Sequence, residues 1–297
     1  MSEQNIPVNL YSIQKPLVAK TIENRRLTSS SSDLRSDVRH VTFRYQENLP
    51  YKPGQSVGTL IPGIDPHTGK PHKLRLYSVA SESKGDFGDH QTVSVCVVRH
   101  FWNNQATGEK NVPGVASNYL CDLKVDDEVH LTGPVGKHFL LPEDCKKRDL
   151  IFVATGTGIA PYRGMLKEMF DSGYVGRVWL YFGAGYSDTV LYNDEFEKYR
   201  KFKNFSYVKA ISREEKNPIP ELVPTRENKM YVQVKMYQDQ NTLKEVLQKT
   251  DSLVYLCGLK GMEAGIFPVL EKIGSQLGFQ GFVAKLKSEQ RLRVEVY

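Results

Sequence analysis

The run Ala154-Thr155-Gly156-Thr157-Gly158-Ile159-Ala160-Pro161 constrains the fold of this chain more than any other segment. It follows the apolar stretch DLIFVA (149–154), whose unbroken hydrophobicity suits a parallel strand buried on both faces. Pro161 suits the first turn of a helix, where its missing N–H leaves no partner unsatisfied. Glycines between strand and helix permit a tight turn and let a ligand approach the backbone. The unpaired N–H groups of a helix start favour a phosphate. Pro161 stands where the last glycine of a GxGxxG fingerprint would be, so the motif is incomplete. The same residues also fit a plain strand-to-helix turn.

The chain around this turn has two rhythms. Residues 1–35 show little regular patterning, and the run Ser29-Ser30-Ser31-Ser32 reads as a surface loop. From His40 short strands follow one another: HVTFRY, SVGTLIPG, LRLYSVA (74–80), TVSVCVVRHF (92–101) and DEVHLTG (127–133), with a helix fitting around Gly114–Leu123. Short strands separated by glycine- and proline-rich turns predict a small antiparallel barrel. After the polar stretch Glu143–Lys147 the pattern alternates strand and helix. The strands are DLIFVA, RVWLYFG (177–183), SYVKAIS (206–212), SLVYLCG (252–258) and LRVEVY (292–297). Helices are expected over 194–202, near 239–250, and through GMEAGIFPVLEKIGSQL with Pro268 as a kink. That is the rhythm of an open parallel α/β sheet. The organisation read from the sequence is an extension over 1–35, a barrel domain over 36–145 and an α/β domain over 146–297.

Composition excludes some functions. No apolar run approaches the roughly 18 residues that would span a membrane, so no membrane anchor is expected. Cys96, Cys121, Cys145 and Cys257 form no CxxC pair, which argues against a zinc knuckle or a dithiol centre, and no metal site is expected. The formal charge of +6 suits an acidic partner or a phosphorylated cofactor, with no basic arm for nucleic acid. The opening residues read as neither a secretory signal nor a transit peptide, so a cytoplasmic protein is expected.

Several residues are placed for ligand chemistry, each with a structural alternative. Arg75 and Tyr77 share a strand face and could hold a phosphate and a planar ring, or be an ordinary barrel strand. Ser117 lies near a helix start, and Trp102 either covers a ring or plugs the barrel. Ser212 and Arg213 follow a strand, and Lys229 and Tyr231 lie in KMYVQ. All four could grip a 2′-phosphate or be solvated surface. Cys257 ends a strand, as a buried small hydrophobe or as the lining of a ligand crevice. Glu295 and Tyr297 share a face of the last strand. A shielded carboxylate there could handle a proton, and the aromatic end could stack on a flat ring.

In order and spacing, the segments YKPGQSVG, GKPHKLRLYSVAS, GVASNYLCDLKVDDEV, GPVGKHFLLP, ATGTGIAPYRGML, AISREE, SLVYLCG with LKGMEAGI, and VEVY resemble the plant-type ferredoxin–NADP reductase family. The resemblance spans about Tyr11 to Tyr297 and points to the plastid and cyanobacterial-like branch. It implies a six-stranded antiparallel FAD-binding barrel followed by an NADP-binding α/β domain. Non-covalent FAD would be held by Arg75 at the pyrophosphate, Tyr77 on the isoalloxazine and Ser78 near its redox-active nitrogen. Leu76, Cys96, Val97, Arg99, Val115, Ala116 and Ser117 would complete that site, with Trp102 over the adenine. NADP(H) would be held by Thr155, Gly156, Thr157, Gly158 and Pro161, and by Gly258 and Leu259. Ser212, Arg213, Lys229 and Tyr231 would hold its 2′-phosphate. Ser78, Cys257, Glu295 and Tyr297 would be catalytic, with Tyr297 leaving the flavin before nicotinamide enters.

The resemblance implies hydride exchange between NADP(H) and FAD and single-electron exchange with ferredoxin or flavodoxin, by a monomer. A reductase module serving an oxygenase is the alternative. Three segments depart from the family pattern: Val98 in CVVR, QRLRVEVY at the end, and Gly183-Ala184-Gly185-Tyr186. Val98 removes a cation that often faces ferredoxin. With the cytoplasmic reading, it suggests a bacterial member running from NADPH to the carrier, with Lys70, Lys73 and Arg99 as docking cations.

Overall fold

The computed structural model describes residues 6–29, 36–66, 68–105, 107–223, 226 and 228–297. The chain divides into two units, 1–140 with 160–168, and 141–159 with 169–297.

In the first unit the strands are β1 (Leu17–Arg26), β2 (Val38–Tyr45), β3 (Ser56–Leu60), β4 (Arg75–Ser78) and β5 (Thr92–Val98). The two-residue pair β6 (Phe101–Trp102) and β7 (Val112–Pro113), helix α1 (Val115–Asp122) and β8 (Glu128–Val135) follow. Six strands form an antiparallel sheet in the order β4-β3-β8-β1-β2-β5. Its two outer strands meet through a Val79–Val95 bridge and an Ala80 N–H donated to the Ser94 carbonyl at 2.7 Å, so the sheet closes on itself. Leu17, Val41, Phe43, Val57, Val93, Val95 and Leu131 fill its interior and meet Leu120 of α1.

The first strand corrects the reading of residues 1–35 as unpatterned. Leu17, Ala19 and Thr21 of β1 point inward. Val18 points outward, at 47% exposed, and the inward Thr21 is polar, so hydrophobicity does not alternate cleanly. A register shift between Thr21 and Glu23 against β2 then breaks the period of two. Of the serine run, Ser29 is exposed, while residues 30–32 lie outside the described residues.

A buried polar cluster ties residues 160–168 into this unit. The Asp86 carboxylate accepts from Ser94 Oγ at 2.5 Å and from Arg163 Nη1 at 2.6 Å, and it meets His40 Nε2 at 2.8 Å. Arg163 also donates to the Ala80 carbonyl at 3.1 Å. Gly164 packs against the barrel so closely that a Cβ would fall 2.3 Å from the Ser81 carbonyl oxygen. Burial alone would raise the Asp86 carboxyl, but the His40 hydrogen bond and the Arg163 charge outweigh it and hold the group well below the usual carboxylate range. Burial pushes the His40 imidazole down.

The second unit contains β9 (Leu150–Thr155), β10 (Val178–Ala184), β11 (Phe205–Ile211), β12 (Leu253–Gly258) and β13 (Leu292–Val296). They form a parallel sheet in the order β11-β10-β9-β12-β13. The helices are α2 (Ala160–Asp171), whose residues 160–168 count with the first unit, then α3 (Asn193–Tyr199), α4 (Val232–Gln238), α5 (Gln240–Leu247), α6 (Met262–Gln276) and α7 (Phe282–Ser288). The expected helix near 239–250 is α5, while α4, which ends against it at Asp239, was not anticipated, and Pro268 lies inside α6. The seven-residue α7 went unanticipated; it packs Phe282 against Gly274 of α6, where a Cβ would lie 2.2 Å from the ring's own Cβ. Strand order reverses between β9 and β12, which is where open α/β sheets bind ligands at the strands' carboxyl ends. Among the described residues, no helix is long and apolar enough to cross a membrane.

Replacing Asp86 with asparagine strands the mostly buried Arg163 charge and should cost about 3 kcal/mol at neutral pH, read from urea unfolding. The carboxyl is more acidic folded than unfolded. Its contribution is therefore complete above the unfolded value of about 3.9 and fades as pH falls through the folded value. The gap between Asp86→Asn and the unaltered protein should accordingly narrow in acid. A constant gap across pH would refute the ionised carboxylate.

Candidate functional site

The carboxyl ends of β9 and β12 are held together by close backbone approach. The chain leaves Thr155 into a short 3-10 turn, Gly156–Ile159, with Gly156 at φ +54° and open space where a Cβ would stand. Gly158 lies against β12: a Cβ there would sit 2.2 Å from the Cys257 carbonyl oxygen. Gly258, at φ +144°, would place a Cβ 2.3 Å from Thr155 Oγ1. Neither position admits a side chain. Thr155 Oγ1 accepts the Leu259 N–H at 3.1 Å, and Leu259 itself is exposed. Pro161 is the second residue of α2.

Cys257 and Glu295 are register partners on β12 and β13. Burial, and then the Glu295 charge, push the fully buried Cys257 thiol well above the ordinary thiol value. Burial also raises the Glu295 carboxyl, and Glu295 Oε2 is a buried oxygen without a hydrogen-bond partner. These are a neutral thiol and a carboxyl inclined to keep its proton, in a water-poor corner. Next to them the exposed Tyr297 is pinned through its backbone. Its N–H donates to the Gly258 carbonyl at 3.0 Å, and its carbonyl accepts the Lys260 N–H at 2.9 Å. Its hydroxyl shares a 2.6 Å hydrogen bond with Thr157 Oγ1, joining the last residue to the glycine turn.

The 2′-phosphate candidates gather at the ends of the next two strands. Ser212 and Arg213 donate backbone N–H groups to the Ala184 and Gly185 carbonyls, at 2.9 and 3.0 Å. The exposed Arg213 guanidinium lies 5.3 Å over the Tyr186 ring. Tyr231 immediately precedes α4, and Val232 packs on Gly183 of β10, where a Cβ would lie 3.0 Å from Val232 Cγ1. Lys229 is half-buried beside it. Sequence reasoning missed Tyr186 and Arg226. In the sequence Tyr186 stands out only as a departure from the family turn, and Arg226 lies in an irregular segment with no periodic signal.

In the first unit, β4 carries Arg75 and Leu76 exposed and Tyr77 and Ser78 half-buried. Among the described residues the Arg75 guanidinium reaches only the carbonyls of Lys73 and Leu74, at 3.4 and 3.1 Å, leaving it available to an anion. Burial, and then the Cys121 thiol of α1, raise the Tyr77 phenol to about 12. Ser117 Oγ accepts the His100 N–H at 3.1 Å and donates to the Gly114 carbonyl at 3.2 Å. Leu76, Trp102 and Val115 are large apolar side chains left exposed, Ala116 is half-buried, and Cys96 and Val97 are buried within β5. An exposed guanidinium, a half-sheltered phenol ring and exposed apolar groups on one unit suit a flat, phosphorylated cofactor.

Arg99 is a correction. It is buried, and its Nε, Nη1 and Nη2 donate to Asp37, Asn118 and Asp122 at 3.1, 3.1 and 2.8 Å. It fastens the end of β5 to α1 and is neither an exposed docking cation nor free to grip a phosphate. Lys70 and Lys73 are exposed, as expected.

Fold and site together define an oxidoreductase of the dinucleotide-binding kind, and residues 152–267 match the family described as the oxidoreductase NAD-binding domain. The chloroplastic ferredoxin–NADP reductase of Mesembryanthemum crystallinum is 43% identical over 99% of this chain and 80% of its own length. The cyanelle ferredoxin–NADP reductase of Cyanophora paradoxa is 42% identical over the same shares. The solved ferredoxin–NADP+ reductase of Plasmodium falciparum superposes with a TM-score of 0.75 at 26% identity, covering 98% of this chain and 99% of that one. This chain belongs to the ferredoxin–NADP reductase family. The curated relatives are named as chloroplastic and cyanelle enzymes, which overturns the cytoplasmic expectation and points to a plastid type of reductase.

Because the Glu295 carboxyl is raised in the fold, the unfolded chain gives up that proton first. The stability it confers is complete below the unfolded value, about 4.3, and declines as pH rises through the folded value. Glu295→Gln should therefore melt higher than the unaltered protein near pH 7, with the difference closing toward about pH 4. Thermal melts across that range check this, and identical pH profiles would mean a solvated carboxylate.

Proposed function

We propose that this chain is an FAD-dependent ferredoxin/flavodoxin–NADP oxidoreductase. The observation that carries the reading is the corner at β9 and β12. There Gly158 brings the Gly156–Ile159 turn against Cys257, the register partner of Glu295, and an arginine that among the described residues has no carboxylate partner stands just past β11. Full-length kinship to ferredoxin–NADP reductases supports it. Those names also set aside the oxygenase-module alternative.

FAD and NADP(H) are the cofactors of this reading, the flavin non-covalent and carried by residues 36–145 with β1, the nicotinamide nucleotide by 146–297. When bound, the flavin supplies the conversion between a hydride and two single electrons. The protein's own part is positioning. Arg75 and the α1 start at Ser117 meet the flavin's phosphates, Tyr77 and Ser78 its ring, and Trp102 its adenine. Cys96 and Val97, buried in β5, shape that wall from behind. The open backbone from Thr155 to Gly158 receives the pyrophosphate. Cys257 and Glu295 line a dry place for the nicotinamide, where a neutral thiol packs against the ring without competing for its charge. Tyr297, held by Thr157, is the gate the nicotinamide displaces.

A plastid type of enzyme, acting as a single chain, is the lineage the named relatives support; the bacterial reading rested on Val98 and on the cytoplasmic expectation now withdrawn. NADPH-to-carrier flow is kept as the proposed direction because Val98, partly exposed, breaks the cationic CVKR pattern that commonly faces ferredoxin. Lys70 and Lys73 are the remaining docking cations of the proposal.

The purified protein should be yellow and should bleach with NADPH far faster than with NADH. Arg213→Gln should lower kcat/KM for NADPH roughly tenfold or more, from the loss of charge-assisted bonds. NADH kinetics and the flavin spectrum should stay unchanged. Equal efficiency with both nucleotides in the unaltered enzyme would sink the assignment. Anaerobic assays in both directions with ferredoxin and flavodoxin test the direction.

A further inference from the structure

Between β11 and α4 the carboxylates nearest in sequence to Arg213 are already engaged. Glu214 accepts the Ser187 N–H at 3.1 Å and its hydroxyl at 3.2 Å. Glu215 pairs with Lys235 of α4 at 2.5 Å, which fastens the segment after β11 to that helix. Two guanidinium groups are left over. Arg213 Nη1 reaches only the Tyr186 hydroxyl, at 3.3 Å, besides lying over that ring. Arg226 Nη1 reaches only the Tyr231 hydroxyl, also at 3.3 Å. Among the described residues neither arginine has a carboxylate partner, and both are exposed.

The second arginine is anchored where it can matter. Its N–H donates to the carbonyl of Val223, a core residue, at 3.0 Å, and its own carbonyl accepts the Lys229 N–H at 2.9 Å. Arg226 and Lys229 are thereby held beside Tyr231. Tyr231 adjoins Val232, which packs on Gly183 at the end of β10, the strand whose tip also carries Tyr186 and hydrogen-bonds the Ser212–Arg213 backbone. The Arg213–Tyr186 pair thus stands just past the carboxyl ends of β11 and β10, and the Arg226–Tyr231 pair just before α4, whose first residue packs on the end of β10.

We propose that Arg226 is a further specificity residue of this enzyme: a second guanidinium that, opposite Arg213 and oriented by the Tyr231 hydroxyl, closes on the 2′-phosphate of the nicotinamide nucleotide. The inference rests on the NADP reading above. A dianionic phosphate takes bonds from two guanidinium forks where a ribose hydroxyl takes none of their charge, so the contribution of Arg226 falls on discrimination rather than on nucleotide binding in general.

The test is calorimetric titration of the flavin-loaded protein with 2′-phospho-AMP and with 5′-AMP, for the unaltered chain, Arg226→Gln and Arg226→Lys. Arg226→Gln should weaken 2′-phospho-AMP roughly five- to tenfold and leave 5′-AMP alone. Arg226→Lys should recover part of the loss, and the variant's affinity should depend less steeply on salt. Unchanged 2′-phospho-AMP affinity in Arg226→Gln, with the unaltered protein still preferring that ligand, would overturn the role of Arg226 and leave the NADP reading standing. An equal loss for both nucleotides would overturn it as well, because it would mark a structural role. Equal binding of the two by the unaltered protein would bring down the NADP reading and this inference together.

Discussion

Two backbones in the second unit touch where side chains would have to be. Gly158 rests on the Cys257 carbonyl and Gly258 rests on Thr155, so β9 and β12 can run side by side and end together. Everything the site can do depends on that contact. It sets the open face of the Gly156 turn, brings the Cys257–Glu295 pair to the same edge, and fixes the carbonyl from which Tyr297 hangs. A methyl group at either glycine would push the strand ends apart, and the geometry would fail before any chemical group was altered.

Charge follows one rule in both units. Among the described residues, some arginines are mostly buried against carboxylates, while those proposed to meet a ligand are exposed and hydrogen-bond neutral oxygens. Arg163 and Arg99 belong to the first kind, each facing carboxylates. Arg75, Arg213 and Arg226 belong to the second, with carbonyl or phenol oxygens as their partners. A buried charge stripped of its partner is costly, so the first kind stays occupied. An exposed guanidinium keeps its water shell, so the second kind loses little without a carboxylate.

The Cys257–Glu295 corner works by the opposite means. Burial raises both groups, so each is harder to ionise than in water. A hydride moves as a hydrogen nucleus together with two electrons, so in the proposed function its transfer asks no separate acid or base of this pair. The Thr157–Tyr297 hydrogen bond closes this corner with a contact between two hydroxyls, which a binding nucleotide can exchange for its own without leaving a charge unpaired.

The sequence by itself determined the two rhythms of the chain, the parallel strands, the glycine turn and the ordered motifs that carry the family. These are local: a buried strand, a turn and a helix start each leave a mark within a few residues. Strand β1 escaped because its register shift and polar Thr21 blur the alternation, and α7 because seven residues are too few to show a period. Arg99 read as a surface cation since its partners Asp37, Asn118 and Asp122 lie far along the chain. Arg226 was invisible for the same reason, as only folding brings its guanidinium to the Tyr231 hydroxyl, with no carboxylate partner among the described residues. What the tertiary structure alone decided is which charges are spent and which are free. That choice depends on distances between residues remote in sequence, and no periodicity records them.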